Sequence, residues 1–189
     1  MTEIIFASHN QGKIKEAQAL LEPFGYQVLS ADDLHLEDVE ENGMTFTENA
    51  LIKARAAFKA TGRPALADDS GLCVHALGDE PGIYTARYAK KMGGHQNAFG
   101  DLLMRAGEDT SAHFTCVIAY VDETGEYTFE GRVDGHLSEP QEGNEGFGFD
   151  PIFIPDGYDK AFSCLDSKIK NTISHRAKAL QQLKEFIQR

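Results

Sequence analysis

Pro64-Ala65-Leu66-Ala67-Asp68-Asp69-Ser70-Gly71-Leu72-Cys73-Val74 sets two adjacent carboxylates between two short apolar runs. The flanks read as strand, and neighbouring side chains of a strand leave on opposite faces. Asp68 and Asp69 are therefore not a matched pair on one face. One fixes a turn and the other points into a cleft. Ser70-Gly71 predicts a strand-to-strand corner, because glycine accepts backbone angles that other residues avoid. A carboxylate at a strand end is placed to hold a divalent cation or to polarise a water. Taken alone, the stretch also reads as an ordinary Asp-Asp-Ser-Gly turn without chemistry.

Upstream, Glu3 to Ala7 is a short apolar strand of the kind buried on both faces. It runs into Ser8-His9-Asn10-Gln11-Gly12-Lys13 and then a helix with Ile14, Ala17, Leu20 and Leu21 at helical spacing, ended by Pro23 and Gly25. A strand, a polar loop and a helix N-terminus make a place for phosphate. Asn10 is the candidate cap. Lys13 in the first turn opposes the helix dipole, and an anion there would remove the conflict. The spacing is not that of a Walker loop. Gln27 to Ser30 is a second strand. Between it and the next helix lies the acidic run Glu37-Asp38-Val39-Glu40-Glu41-Asn42-Gly43. It reads as a solvated loop, or as the source of one carboxylate, Glu40 or Glu41, for a metal shared with Asp69. Thr45 and Glu48 have capping-box spacing, with an apolar stripe at Leu51, Ala54 and Phe58 and a polar side at Glu48, Asn49 and Lys53.

Downstream, Pro81-Gly82 signals a turn, and Arg87 lies between Tyr84 and Tyr88. Gln96 to Met104 reads as helix. Residues 113–121 and 127–135 alternate around Asp122-Glu123-Thr124-Gly125 as a hairpin with no assigned chemistry. Gly146-Phe147-Gly148-Phe149-Asp150-Pro151 puts two bulky rings in a glycine-rich loop, to stack on a base or sugar or to enter the core. Ile152 to Ile154 resumes a strand. Lys168 to Arg176 leads into an amphipathic last helix with Leu180, Leu183 and Ile187, Ser174 as its cap, and His175 and Arg176 in its first turn. Lys13, Lys170, His175 and Arg176 all read as cations misplaced against a helix dipole, which points to an anionic ligand.

The 189 residues suit one domain, 1–189, with no repeat, low-complexity tract or linker. A net charge of −12 argues against a nucleic-acid or anionic-membrane surface. No apolar run reaches the roughly 20 residues that span a bilayer. Cys73, Cys116 and Cys164, widely spaced and odd in number, read as free thiols of a reducing compartment. With no basic region ahead of an apolar stretch at the N-terminus, the expectation is a cytoplasmic protein. No zinc-type His/Cys spacing is present, and an all-oxygen Mg²⁺ site suits the carboxylates.

In order, Ser-His-Asn-Gln-Gly-Lys, Thr-Phe-Thr-Glu-Asn-Ala, Ala-Asp-Asp-Ser-Gly-Leu, Pro-Gly-Ile-Tyr-Thr-Ala-Arg-Tyr, Gly-Phe-Gly-Phe-Asp-Pro and Ile-Ser-His-Arg-Ala-Lys-Ala span nearly the whole chain. This series resembles the inosine triphosphate pyrophosphatase family, the dITP/XTP pyrophosphatases. The resemblance implies an α/β fold with an elongated, strongly twisted mixed sheet and flanking helices forming two lobes around a central cleft. It implies a homodimer. It implies Mg²⁺-dependent hydrolysis of ITP, dITP and XTP to the monophosphate and pyrophosphate, which clears deaminated purines from the nucleotide pool. Hydrolysis of standard or pyrimidine nucleotides, or purine-nucleotide sensing without catalysis, are the alternatives.

Carried over by residue, Ser8, His9, Asn10, Gln11, Gly12 and Lys13 would hold the triphosphate, with Ser70 also on the phosphates. Glu40 or Glu41, with Asp69, would hold the metal, and Asp69 would be the general base. Phe149 would stack on the base, and the loop Phe147, Gly148, Phe149, Asp150 would read its edge, with Lys170, His175 and Arg176 closing the pocket. A donor such as Arg176 would favour the six-keto oxygen of hypoxanthine and xanthine. Three positions depart from the family pattern. Ser163-Cys164-Leu165 replaces a usual Ala-Glu-Leu, Phe149 replaces Tyr or Trp, and Glu145 replaces Gly. None removes a residue assigned to catalysis.

Overall fold

Asn10 and Thr45 start their helices as their side chains predict. In the computed structural model, which describes residues 1–189, Asn10 Oδ1 accepts from the Lys13 amide at 3.2 Å and Thr45 Oγ1 from the Glu48 amide at 3.1 Å. The elements in order are β1 (Thr2–Phe6), α1 (Gln11–Leu21), β2 (Tyr26–Ser30), α2 (Phe46–Thr61), β3 (Ala65–Val74), β4 (Glu80–Pro81), α3 (Thr85–Lys91), α4 (His95–Ala106), β5 (Ser111–Asp122), β6 (Gly125–Leu137), β7 (Phe153–Pro155), α5 (Ser167–Ile173) and α6 (His175–Ile187). The strands join in one mixed sheet of order β2-β1-β3-β5-β6-β7, with β4 on β3 off this path. β1 pairs in parallel with β2, Thr2 opposite Tyr26, and with β3, Ile5 opposite Ala65. β3 pairs antiparallel with β4, and β6 with β7.

The expected corner at Ser70-Gly71 is absent. β3 runs unbroken for ten residues through both aspartates. Gly71 serves a close approach instead of a turn: a Cβ there would lie 2.1 Å from the Gly82 carbonyl oxygen. The composition of a turn thus sits in a strand because neighbours neutralise its carboxylates and press against its glycine.

The chain forms two compact units. Met1–Asp69, Cys116–Gly131 and Arg176–Arg189 make the first, and Ser70–Thr115 with Arg132–His175 the second. In the first, one cluster joins Ile14 and Leu21 of α1 and Leu180 and Leu183 of α6 to Leu66, Cys116 and Ile118. Another joins Ala50 and Ala54 of α2 to Ala67, Val117 and Ala119. Even-numbered β3 positions thus meet α1 and α6, and odd-numbered ones meet α2, as strand alternation requires. Asp68 and Asp69 inherit these two faces. In the second unit Leu72, Val74, Phe99, Leu102, Phe114, Phe153 and Phe162 belong to one core. Each such side chain contributes about 1.5–3 kcal/mol by leaving water. No helix is long and apolar enough to cross a membrane.

Candidate active site

On its even face, Asp68 is 1% exposed. Lys13 Nζ of α1 donates to Oδ1 at 3.1 Å, and Arg176 Nε of α6 donates to Oδ2 at 3.1 Å. Arg176 also donates through Nη1 to Glu16 at 2.5 Å. The Cys116 thiol donates to Asp68 Oδ2 at 3.8 Å. Burial alone would raise the Asp68 carboxyl, but Lys13, Arg176 and Lys53 outweigh it and hold it well below the usual carboxylate range. Two of the cations expected to need an anionic ligand thus have partners within the chain. Lys13 and Arg176 each have a carboxylate of this chain beside them, supplied by β3 and α1. Lys170 lies in the last turn of α5, where the dipole favours a cation.

On the odd face, Asn49 Nδ2 of α2 donates to Asp69 Oδ2 at 3.2 Å. Lys53, one turn on, donates to the Asp68 backbone oxygen at 2.5 Å and pairs with Glu41 at 2.7 Å. Burial pushes the Asp69 carboxyl up to about 6; Lys53 and Asn49 oppose the rise, and Glu41 and Asp68 add to it. Burial also works against the Lys53 charge, but Asp68, Glu41 and Asp69 prevail and raise its affinity for its proton. Glu41 thus joins the acid cluster. Glu40 is exposed and makes no ion pair. Beside the cluster opens a cavity of about 460 Å³, lined among others by Ala7, His9, Leu36, Asp38, Glu41 and Lys53. Two carboxylates of different exposure, one polarised amide and one ammonium can hold a divalent cation and accept a proton from water.

From the Ser8 to Lys13 loop, His9 lines the same cavity. His9 Nδ1 lies 2.5 Å from Asp32 and its Nε2 3.1 Å from Asp38, which raises its proton affinity. Gln11 donates to Asp32 at 3.3 Å, and the Asn10 amide to Ser8 Oγ at 3.1 Å. Gly12 is the second residue of α1. Ser70 is half-buried on β3.

In the second unit, Asp150 fixes the glycine-phenylalanine loop. Its Oδ2 accepts from Lys170 Nζ at 2.6 Å and from the Phe147 amide at 2.9 Å. Gly146 has φ +71°, and a Cβ there would fall 2.1 Å from Asp150 Oδ2, so only glycine fits. Lys170 Nζ lies 4.5 Å from the Phe147 ring centroid. The two rings differ. Phe149 is buried in the core, edge-on to His95 and Phe99, whereas Phe147 is only half-buried. The base-stacking expectation for Phe149 therefore meets a ring already enclosed by its own neighbours. His175 is buried too, stacked on Phe114 at 4.7 Å between centroids. Arg176, expected at the edge of a base, is 2% exposed and bound to Asp68 and Glu16. Ser163 and Cys164, the departures from the family pattern, bond the Gln141 and Glu142 carbonyls at 2.9 and 3.3 Å and so close a loop by packing.

Asn49, Lys53 and Glu16 were missed in the sequence. The sequence pattern puts Asn49 and Lys53 on the polar side of α2, yet Asn49 is 1% exposed. Their spacing of four, beside the buried alanines 50, 54 and 57, was the available signal.

Residues 4–186 match the model of the Ham1 family. The chain belongs to the Ham1 family. It is similar to a dITP/XTP pyrophosphatase of Bacillus subtilis, 44% identical over 100% of this chain and 98% of that one. It is also similar to one of Leptospira interrogans, 43% identical over 98% and 96%. The solved Ham1 protein of Staphylococcus aureus superposes with a TM-score of 0.86 at 40% identity, covering 99% of this chain and 98% of that one. A Mycobacterium abscessus structure described as a nucleoside-triphosphatase and dITP/XTP pyrophosphatase gives 0.74 at 36%, covering 98% and 100%. Membership in the Ham1 family accounts for the mixed α/β sheet.

Proposed function

We propose that the chain, as a single domain of residues 1–189 and a homodimer, hydrolyses ITP, dITP and XTP to the monophosphate and pyrophosphate with Mg²⁺. The observation that supports this most is the meeting of Asp69, Glu41, Asn49 and Lys53 at a cavity that Glu41 and Lys53 line together with His9, in a chain whose full-length relatives carry the name dITP/XTP pyrophosphatase.

The donor set fits magnesium. Asp69 and Glu41 offer hard oxygens with no competing imidazole or thiolate between them, and they are the pair that would hold it. When bound, the ion supplies charge for the phosphate oxygens and acidity for a water. Every other contribution comes from the chain. Water adds across the α–β phosphoanhydride, its oxygen bonding phosphorus as pyrophosphate leaves, and Asp69 accepts its proton. Asn49 fixes which Asp69 oxygen stays hydrogen-bonded. Ser8, His9, Asn10, Gln11, Gly12 and Lys13 bind the triphosphate, with Ser70 on the phosphates. Asp68, itself bound by Arg176, holds Lys13 in place. Phe147, the accessible ring, takes the stacking role given to Phe149 in the sequence reading. Gly148 and Asp150 shape its loop, Lys170 braces it through Asp150, and His175 helps to close the pocket.

The test is pyrophosphate release with Mg²⁺ from ITP, XTP, GTP and dTTP. Preference for ITP and XTP is expected. Equal turnover of GTP or dTTP would assign a broader nucleotide pyrophosphatase. Binding of ITP without release would assign a sensor.

A further inference from the structure

The second unit carries a cluster that the proposed hydrolysis does not use. His75 follows β3, Asp79 precedes β4, and His113 lies on β5, so 38 residues of sequence separate the two imidazoles. Linear spacing therefore hid what the fold assembles. The ligand atoms of the three side chains all lie within 4.8 Å of one another, with His75 and Asp79 exposed and His113 buried. His75 Nε2 and His113 Nδ1 are 2.8 Å apart.

A hydrogen-bond relay settles the tautomer of His75. The Ser111 hydroxyl donates its one hydrogen to Asp109 Oδ1 at 2.6 Å. Its oxygen can then only accept from His75 Nδ1, 3.1 Å away. Neutral His75 therefore carries its proton on Nδ1 and leaves the lone pair of Nε2 toward His113. A carboxylate reaching an imidazole N–H through a hydroxyl is the outer support that orients metal-ligating histidines. Asp109 and Ser111 are not ligands themselves. Charges around the pair also matter. Asp79 and Asp134 favour a cation near His113, and Arg132 opposes one. Arg132, however, is engaged by Asp134 through Nε and Nη2 at 2.9 and 2.7 Å.

We propose that His75, Asp79 and His113 form a binding site for a borderline divalent cation, zinc above all, separate in its residues from the carboxylate pair Glu41 and Asp69. His75 binds through Nε2, His113 through Nδ1 and Asp79 through one oxygen, leaving one position of a tetrahedron for water. Two nitrogens on one zinc both point at the ion and lie about 3.3 Å apart, whereas these face each other head-on at 2.8 Å with ring centroids 5.1 Å apart, so His75 Nε2 swings aside by about 2 Å to share an ion with His113. His75, at the surface, can move that far. His113 shifts its ring proton from Nδ1 to Nε2, and no net proton is released. Two imidazoles and a carboxylate select zinc, copper or nickel over magnesium. The bound ion ties the segment after β3 to β5.

The test is calorimetric titration of zinc into the full chain, with saturating Mg²⁺ present to occupy the carboxylate pair. One zinc per chain is expected. His75→Gln and Asp79→Asn, both at exposed positions, each weaken it at least tenfold, and Ser111→Ala weakens it about tenfold by freeing the ring. Thermal melting without zinc confirms that each variant folds, and Mg²⁺-dependent turnover of ITP stays at the native level in all three. Unchanged zinc affinity in either His75→Gln or Asp79→Asn overturns the proposal and leaves the pair as a histidine–histidine hydrogen bond. The readout is zinc binding, so a failure of the pyrophosphatase reading would leave it standing.

Discussion

The two faces of β3 treat adjacent aspartates in opposite ways. Toward α1 and α6, Asp68 meets Lys13 and Arg176 and is held ionised far below the usual range. Toward α2, Asp69 meets one amide, with Glu41 nearby and Lys53 turned mainly to other acceptors, and its carboxyl rises to about 6. Side-chain chemistry, strand and depth are the same. The difference lies in the number of cations each face supplies. A carboxylate with two bound cations is a structural brace, whereas one raised toward neutrality and lightly bound is free to exchange a proton or take a metal.

The largest effect should come from breaking the brace. Asp68→Ala leaves the Arg176 guanidinium and the Lys13 ammonium without their shared carboxylate. A loss of about 3–5 kcal/mol in urea unfolding is expected. A loss under about 1 kcal/mol would mean that the even face is not held by this pair. The two rings of the second unit sharpen the same contrast between support and function. Phe149→Ala should cost about 3–5 kcal/mol by opening a core cavity. Phe147→Ala should cost under about 1 kcal/mol in urea unfolding, yet raise KM for ITP about tenfold through lost stacking. The reverse pattern would return the base to Phe149. The smallest pair tests the acidic run. Glu41→Gln should raise the Mg²⁺ needed for half-maximal rate by about tenfold, ~1.4 kcal/mol of binding. Glu40→Gln should leave that concentration within about twofold, consistent with an exposed side chain.

Much of the frame was legible locally. The caps Asn10 and Thr45, the stripes of α2 and α6 and the hairpin of β5 and β6 follow from short-range rules, and the structure keeps them. β3 was misread at its centre because Asp-Asp-Ser-Gly has the composition of a turn. What permits a buried strand there is Arg176, 108 residues away, with Lys13, 55 residues away. The same partners answer the cations that seemed to call for an anion. Asn49 and Lys53 were lost for the converse reason: polar residues on a helix default to solvent unless the facing strand is known to carry carboxylates. Local pattern thus recovers elements, and misses charges neutralised across long stretches of chain.

The central claim is that Asp69 performs the chemistry while Asp68 holds the structure. Pyrophosphate release from ITP with Mg²⁺, measured on the native chain and on Asp69→Asn together with their melting temperatures, tests it most directly. The account predicts that Asp69→Asn loses about 10²–10⁴-fold in rate and melts no lower than the native chain, since it removes a charge that burial disfavours. Native turnover in Asp69→Asn at an unchanged melting temperature would contradict it.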